Sequence, residues 1–339
     1  MPKQLRHILV IRLSAMGDVA MTVPVIRALT EQHPKVKITV LTRSFLGPLF
    51  SGIDHVSVFN AEVKGRHRGF LGLWKLSKEL KKIDFDAVAD LHNVLRSNIL
   101  KLFLPGIPFA QIDKGRAEKK ALVSRQKFEQ LKTTHQRYAD VFRKLGFKID
   151  LGNPSFPPNR QLSPRCLDIL KDANGLIGIA PFAAFEGKSY PLSLMEVVIK
   201  ELSKTHKIIL FGGGQKEIEQ LNKLESKFKN VINLAGTLEL NEEMDVISNL
   251  KLLISMDSGN AHIGAMLGVK VLTLWGVTHP FAGFFPYNQN KEHGLFADRE
   301  KFPLIPTSIY GNKYPSGYEK AIESISPQEV IDKARSMIS

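Results

Sequence analysis

KLLISMDSGNAHIGAMLGVKVLTLW, residues 251–275, contains two apolar runs separated by a polar break at Asp257-Ser258-Gly259 and a stretch of small residues. Short apolar runs bounded by turn residues read as strands, here 251–255 and 270–275, with a helix over 259–267. A strand, a crossover helix and a second strand form a βαβ unit, which makes the two strands parallel. Gly264, Ala265 and Gly268 keep that helix slim where it must lie against its sheet. In parallel sheets ligands bind beyond the carboxyl ends of the strands. Residues 256–262 occupy such an end, so Ser258 and Gly259 either begin a plainly capped helix or present N–H groups to an anion. His262, one turn on, can donate to a phosphate or a sugar hydroxyl.

The same alternation runs outward from this unit. In the second half, strands are predicted at 175–181, 207–211 and 231–234, with helices near 192–205, 215–228 and 241–249. A last helix begins at Ser326-Pro327, with Ser326 as its cap. In the first half, strands are predicted at 7–13, 36–42, 55–59 and 87–91. Helices are predicted at 19–32, 71–82 and 94–103, with a longer pair over about 115–145. Residues 150–164 hold four prolines and little apolar content, the signature of a linker. Residues 286–320 lack periodicity. The expected fold is therefore α/β, with two doubly wound, Rossmann-like parallel sheets facing a cleft, over domains 1–155 and 156–339. The last helix is free to pack back on the N-terminal domain.

Charge divides unevenly. Of 47 Lys+Arg and 33 Asp+Glu, residues 1–150 hold 27 basic and 13 acidic, while residues 151–339 hold equal numbers. The whole excess of +14 thus lies in the N-terminal half, which suits an anionic partner. Arg66, Arg68, Arg96 and Arg116 are its candidate contacts. Few aromatics are interleaved with the basic stretch 114–127, so base stacking is poorly supported and no nucleic acid is expected. No apolar run approaches the roughly 20 residues that span a bilayer, and the short apolar stretch near the N-terminus, broken by Arg12, reads as a strand and not a signal peptide. A single cysteine, Cys166, excludes an internal disulfide and a cysteine-cluster zinc site. A cytoplasmic location is expected.

Three further stretches can carry chemistry. In VIRLSAMGDVAMTVP, 10–24, Asp18 follows a strand at the start of a helix. It either caps that helix or, beyond the strand's carboxyl end, deprotonates a substrate hydroxyl. In APFAAFEGKSYP, 180–191, Lys188 stands in a turn and either meets solvent or offers a compact charge to a phosphate. In LFGGGQKE, 210–217, three glycines admit close backbone approach or make a tight turn, and the pattern fits neither dinucleotide nor ATPase phosphate loops. Asp84-Phe85-Asp86 has a metal-binding form but precedes its strand, at the end away from the ligand, so no metal site is assigned to it.

IRLSAMGDVAMTVPVIRAL (11–29), ADLHNVLRS (89–97), GKSYP (187–191), GGGQKE (212–217) and SMDSGNAHIGAMLGVKVLTLWGVTHP (255–280) together resemble glycosyltransferase family nine, the ADP-heptose:lipopolysaccharide heptosyltransferases. The resemblance implies a GT-B architecture and an inverting, metal-independent transfer of heptose, or a related sugar, from an ADP-sugar to an anionic lipopolysaccharide-core acceptor. It requires no cofactor. By that resemblance Asp18 is the general base, Lys188 with Ser258 and Gly259 meets the leaving diphosphate, and Asp257 and His262 contact the donor. Glu217 is the acid nearest the place expected for an adenosine contact. The acceptor would be a glycolipid on the N-terminal domain, implying peripheral contact with the inner membrane surface. The chain departs from many members at Asn260 and Ala261, where Pro and Met are usual, and at KFPLIPTSIYGNKYPSGYEK (301–320), which replaces a cysteine-containing segment. A binding protein for nucleotide sugars or nucleic acid, without transfer activity, and a nucleotide-sugar epimerase are the alternatives on the same scaffold.

Overall fold

The computed structural model describes residues 5–171 and 175–338. Two compact units divide the chain: Met1–Lys114 with Thr134–Ser155, and Gly115–Thr133 with Phe156–Ser339.

The first unit contains β1 (His7–Ile11), α1 (Met16–Ala20), α2 (Val23–Gln32), β2 (Lys37–Thr42), β3 (Val56–Asn60), α3 (Gly69–Lys81), β4 (Ala87–Asp90), α4 (Leu95–Phe103) and β5 (Phe109–Gln111). After α5 (Arg116–Val123), which belongs to the second unit, α6 (Thr134–Lys144) returns to the first. Its strands are all parallel, in the order β3-β2-β1-β4-β5. Ile8 through Ile11 are fully buried, as expected of a central strand covered on both faces. The single helix expected over 19–32 is two. Pro24 sits at the second position of α2, where its missing N–H costs nothing, whereas a continuous helix would leave the Ala20 carbonyl without its donor.

The second unit continues with α7 (Pro164–Leu170), β6 (Leu176–Ala180), α8 (Leu192–Leu202), β7 (Lys207–Leu210), α9 (Gln215–Glu225), β8 (Val231–Asn233), α10 (Leu240–Ile247), β9 (Leu252–Met256), α11 (Gly259–Met266), β10 (Val271–Trp275), β11 (Gly294–Phe296) and α12 (Pro327–Ile338). Its parallel sheet has the order β11-β10-β9-β6-β7-β8. Gly264 serves the close packing of α11: a Cβ there would lie 2.7 Å from Leu253 Cδ2. The last helix buries Val330, Ile331, Ala334 and Met337 in the same core as Val198, Ile199 and Leu202 of α8, within the second unit. Residues 115–133 also belong here, through Leu122 and Leu131 packed with Ala282 and half-buried Phe128, Phe281 and Phe284. Short β5 (Phe-Ala-Gln) and β11 (Gly-Leu-Phe) hold no β-branched residue, unlike the equally short β8 (Val-Ile-Asn), and so leave no strand signal in the sequence. Helix α7 follows directly on the predicted linker, begun by Ser163, whose Oγ accepts from the Cys166 N–H. Among the described residues no helix is long and apolar enough to cross a membrane.

Candidate active site

In the second unit, β6, β9 and β10 end side by side, with Ala180 opposite Ser255 and Met256 opposite Leu274. The segments leaving these strands therefore start from adjacent points. Lys188, in a 3-10 turn over Glu186–Lys188, places its Nζ 2.8 Å from Asp257 Oδ2. The Thr278 hydroxyl donates to the same oxygen at 2.8 Å. The Lys188 and Asp257 side chains are only 12% and 10% exposed, so the ion pair is shielded from bulk water. An ammonium carries three donors, and Asp257 accounts for one.

Glycines set that lysine. The Val277 N–H donates to the Gly187 carbonyl at 3.0 Å, and a Cβ on Gly276 would overlap that same carbonyl. Gly311 has φ +78°, and a Cβ there would come within 2.5 Å of Lys188 Cδ and 2.7 Å of Cγ. Residues 305–314, part of the aperiodic stretch, thus form a strap over the stem of Lys188. The strap is tied down by the Thr307 N–H donating to the Val277 carbonyl at 3.0 Å.

Helix α11 starts directly after Asp257-Ser258. The Ser258 hydroxyl lies 3.1 Å from that of Ser255 and makes no cap bond to the helix, so it does not engage the first-turn N–H groups. His262 is buried within α11. In the triple-glycine loop, Gly214 has φ +85° at the start of α9, and Glu217 Oε2 accepts from the Gly213 N–H at 2.8 Å. Glu217 therefore closes its own loop, whatever else it contacts.

In the first unit, Asp18 stands in α1, beyond the carboxyl end of β1. Its Oδ2 lies 2.6 Å from an Arg12 guanidinium nitrogen and 3.4 Å from the Ala15 N–H. Arg12 also donates to the Leu91 carbonyl at 2.7 Å and lies over the Tyr138 ring. The Tyr138 hydroxyl donates to the Asp18 carbonyl at 3.3 Å. Asp18 is thus the half-open end of a network, 28% exposed where Arg12 is 8% exposed. His92 follows β4, whose Asp90 is opposite Ile11. Burial, reinforced by the nearby Arg12 charge, lowers His92 to about 4, which leaves a neutral imidazole beside the network.

Arg66 and Arg68 share the loop before α3, with Arg66 paired to Glu62 at 2.8 Å and Glu79 at 3.5 Å. Arg96 is exposed on α4, and Arg116 opens α5 in the second unit. Asp86 uses Oδ2 to accept from the Arg6 and His7 N–H groups at the amino end of β1. Arg12, His92, Thr278 and Gly311 join these sites without a motif or spacing that singles them out as ligand contacts. Arg12 did leave a signal, because a charge continuing an apolar strand must find a partner when buried.

The family model for glycosyltransferase family 9 (heptosyltransferase) matches residues 73–304. The chain belongs to glycosyltransferase family 9. This glycosyltransferase is similar to the lipopolysaccharide core heptosyltransferase OpsX of Haemophilus influenzae, 26% identical over 302 residues and 84% of this chain, 82% of the relative. Among solved structures it is similar to a glycosyl transferase family 9 protein of Veillonella parvula DSM 2008, with TM-score 0.77 and 21% identity over 100% of this chain and 98% of the other. It is also similar to the E. coli heptosyltransferase WaaC solved with ADP, with TM-score 0.71 and 17% identity over 98% and 99% of the two chains. The two parallel-sheet units have the GT-B fold of these neighbours.

Proposed function

We propose that this family 9 glycosyltransferase moves heptose, or a related sugar, from an ADP-sugar to an anionic lipopolysaccharide-core acceptor, with inversion and without a metal. The observation that carries the donor half is the shielded Lys188–Asp257–Thr278 group beside the start of α11. The name of the WaaC structure supports ADP as the nucleotide, and that of OpsX supports the lipopolysaccharide core as the acceptor class.

In this reading the bond from the anomeric carbon to the diphosphate oxygen breaks as the acceptor oxygen bonds to the opposite face. The acceptor proton passes to the Asp18 carboxylate. Negative charge develops on the departing ADP, where the Lys188 ammonium and the first-turn N–H groups of α11 meet it as fixed donors. Asp257 holds Lys188 and offers its second oxygen to a sugar hydroxyl, while His262 contacts the donor. Arg12 keeps the Asp18 carboxylate oriented. Arg66, Arg68, Arg96 and Arg116 serve the anionic acceptor, which would lie at the cytoplasmic face of the inner membrane.

The test is ADP release from ADP-heptose, with and without a Kdo-lipid A acceptor, in EDTA, for the wild type and Asp18→Asn. Acceptor-dependent release in EDTA that falls at least 10³-fold in Asp18→Asn, with ADP affinity unchanged, is expected. Release without acceptor would point to an epimerase or hydrolase, and ADP binding without any release to a binding protein. Loss of activity in EDTA restored by a divalent ion would overturn the metal-free step.

A further inference from the structure

We propose that the outer face shared by α3 and α4 is a docking surface for an anionic lipid bilayer. Five large apolar side chains lie open on these two helices: Phe70 (60% exposed), Leu71 (78%) and Trp74 (46%) on α3, and Leu95 (76%) and Leu102 (74%) on α4. Phe70 and Phe103 pack edge to face at 4.9 Å, which joins the first turn of α3 to the last turn of α4 and brings Phe70 and Leu102 into one neighbourhood. At 100° per residue, positions 70, 71, 74, 75, 78 and 81 of α3 fall on one face, opposite buried Leu73, Leu76 and Leu80. The open face therefore has an apolar end, Phe70, Leu71 and Trp74, followed by Lys75, Lys78 and Lys81.

Its charge is of one sign. The only acid in α3 is Glu79, which is half-buried, with the Arg66 guanidinium 3.5 Å from its carboxylate and the buried His67 ring beside it. Helix α4 has no acid, and Lys101 adjoins Leu102. Lys78 rests its Nζ 3.6 Å over the Trp74 ring, so a cation and an aromatic share one spot. Lysines interleaved with Trp, Phe and Leu on an exposed helix face are the pattern of a helix lying in a membrane interface. The cores of protein interfaces, by contrast, are depleted of lysine. Complementarity thus favours an anionic headgroup layer, with the rings and Leu side chains entering the acyl boundary and the lysines at phosphate level. The proposal deepens the reading of a lipid-linked acceptor by giving the membrane contact a location. It rests on this face alone and stands whether or not transfer is observed.

The chain holds two tryptophans, Trp74 and the buried Trp275, so Trp74 is a selective reporter. Vesicles of phosphatidylcholine with and without phosphatidylglycerol are added to the full-length protein. Trp74 emission, taken as the difference between wild type and Trp74→Phe, is expected to shift to the blue only with phosphatidylglycerol. Co-sedimentation is expected in parallel and to weaken with salt. The exposed-site variants F70S/L71S/L102S and K75E/K78E are each expected to lower the bound fraction at least tenfold while leaving ADP affinity unchanged. Absence of a blue shift, or equal vesicle binding by the variants, overturns the proposal. So does a patch variant that converts a dimer to a monomer, or abolishes RNA retention, without changing vesicle binding.

Discussion

Lys188 Nζ and Asp257 Oδ2 stand 2.8 Å apart, both nearly enclosed, with the Thr278 hydroxyl on the same carboxylate oxygen. Removing one member of such a pair leaves the other charge shielded from water and alone, which typically costs about 3–5 kcal/mol. Lys188→Met is therefore expected to lower unfolding stability by about 3 kcal/mol, the low end of that range because Thr278 still serves Asp257. If Lys188 meets the developing charge on the diphosphate, kcat/KM falls roughly 10²–10³-fold, as for loss of one preformed transition-state donor. Denaturant titration and initial rates of ADP release read the two effects separately.

Gly311 supplies a gentler perturbation of the same lysine. A methyl group there meets the Lys188 stem and also strains a backbone at φ +78°. Gly317, at φ +88° with nothing near its would-be Cβ, isolates the strain. Gly317→Ala should destabilise by about 1 kcal/mol, and Gly311→Ala by more, because it also pushes the Lys188 stem away from its pair with Asp257. Only Gly311→Ala should also lower kcat and weaken ADP, because only it displaces the ammonium. Equal activities in the two variants would mean that the strap does not position Lys188.

Much of this arrangement was legible in the residues. The βαβ unit at 251–275 announced itself through periodicity and small residues, and it placed Asp257 and Ser258 at a strand's carboxyl end. Lys188 was legible for the same reason, since it follows β6. What stayed hidden was the contact information. Gly311 lies in a segment with no periodicity, and its use depends on which side chain it meets 123 positions away in sequence. Thr278 is one hydroxyl among many until the chain brings it to Asp257. The interleaving of 115–133 with the second unit was hidden too, because Phe128 and Leu131 are ordinary apolar residues until Ala282 and Phe281 are seen beside them.

Arg12 and Asp18 make a prediction in the first unit. Arg12 is held at three points, by Asp18, by the Leu91 carbonyl and against Tyr138. Arg12→Gln removes the charge but keeps a donor, and should lower kcat by about 10–10² through misorientation of Asp18. ADP affinity should be unchanged, because the proposed nucleotide group belongs to the second unit. Isothermal titration with ADP alongside turnover distinguishes this from a general folding defect, which would reduce both.

The pH dependence of stability should differ between the units, and the two tryptophans allow each to be followed. His92, in the first unit, is lowered to about 4 by burial and by Arg12, against an ordinary value of 6.5. The unfolded chain then binds the proton between these values and the native unit does not, so stability is full above pH 6.5 and falls as the pH drops toward 4. The difference is worth roughly 3 kcal/mol as an order of magnitude. In the second unit, burial and Arg299 lower His279 to about 4 with the same sign. Burial, aided by the Glu239 charge, raises Glu243 to about 7. A carboxyl whose native value is raised stabilises below its unfolded value and loses that contribution as pH rises from 4.5 to 7, so Glu243 opposes His279 over nearly the same window. His206 and His293, both half-buried, are lowered by burial and add only modestly to the histidine side. Urea unfolding followed at Trp74 should therefore lose stability steeply between pH 6.5 and 4, whereas unfolding followed at Trp275 should change much less. His92→Gln should flatten the first curve. Glu243→Gln should steepen the second, because it removes the opposing group and leaves His279 to act alone; an unchanged second curve in Glu243→Gln would show that the compensation is absent.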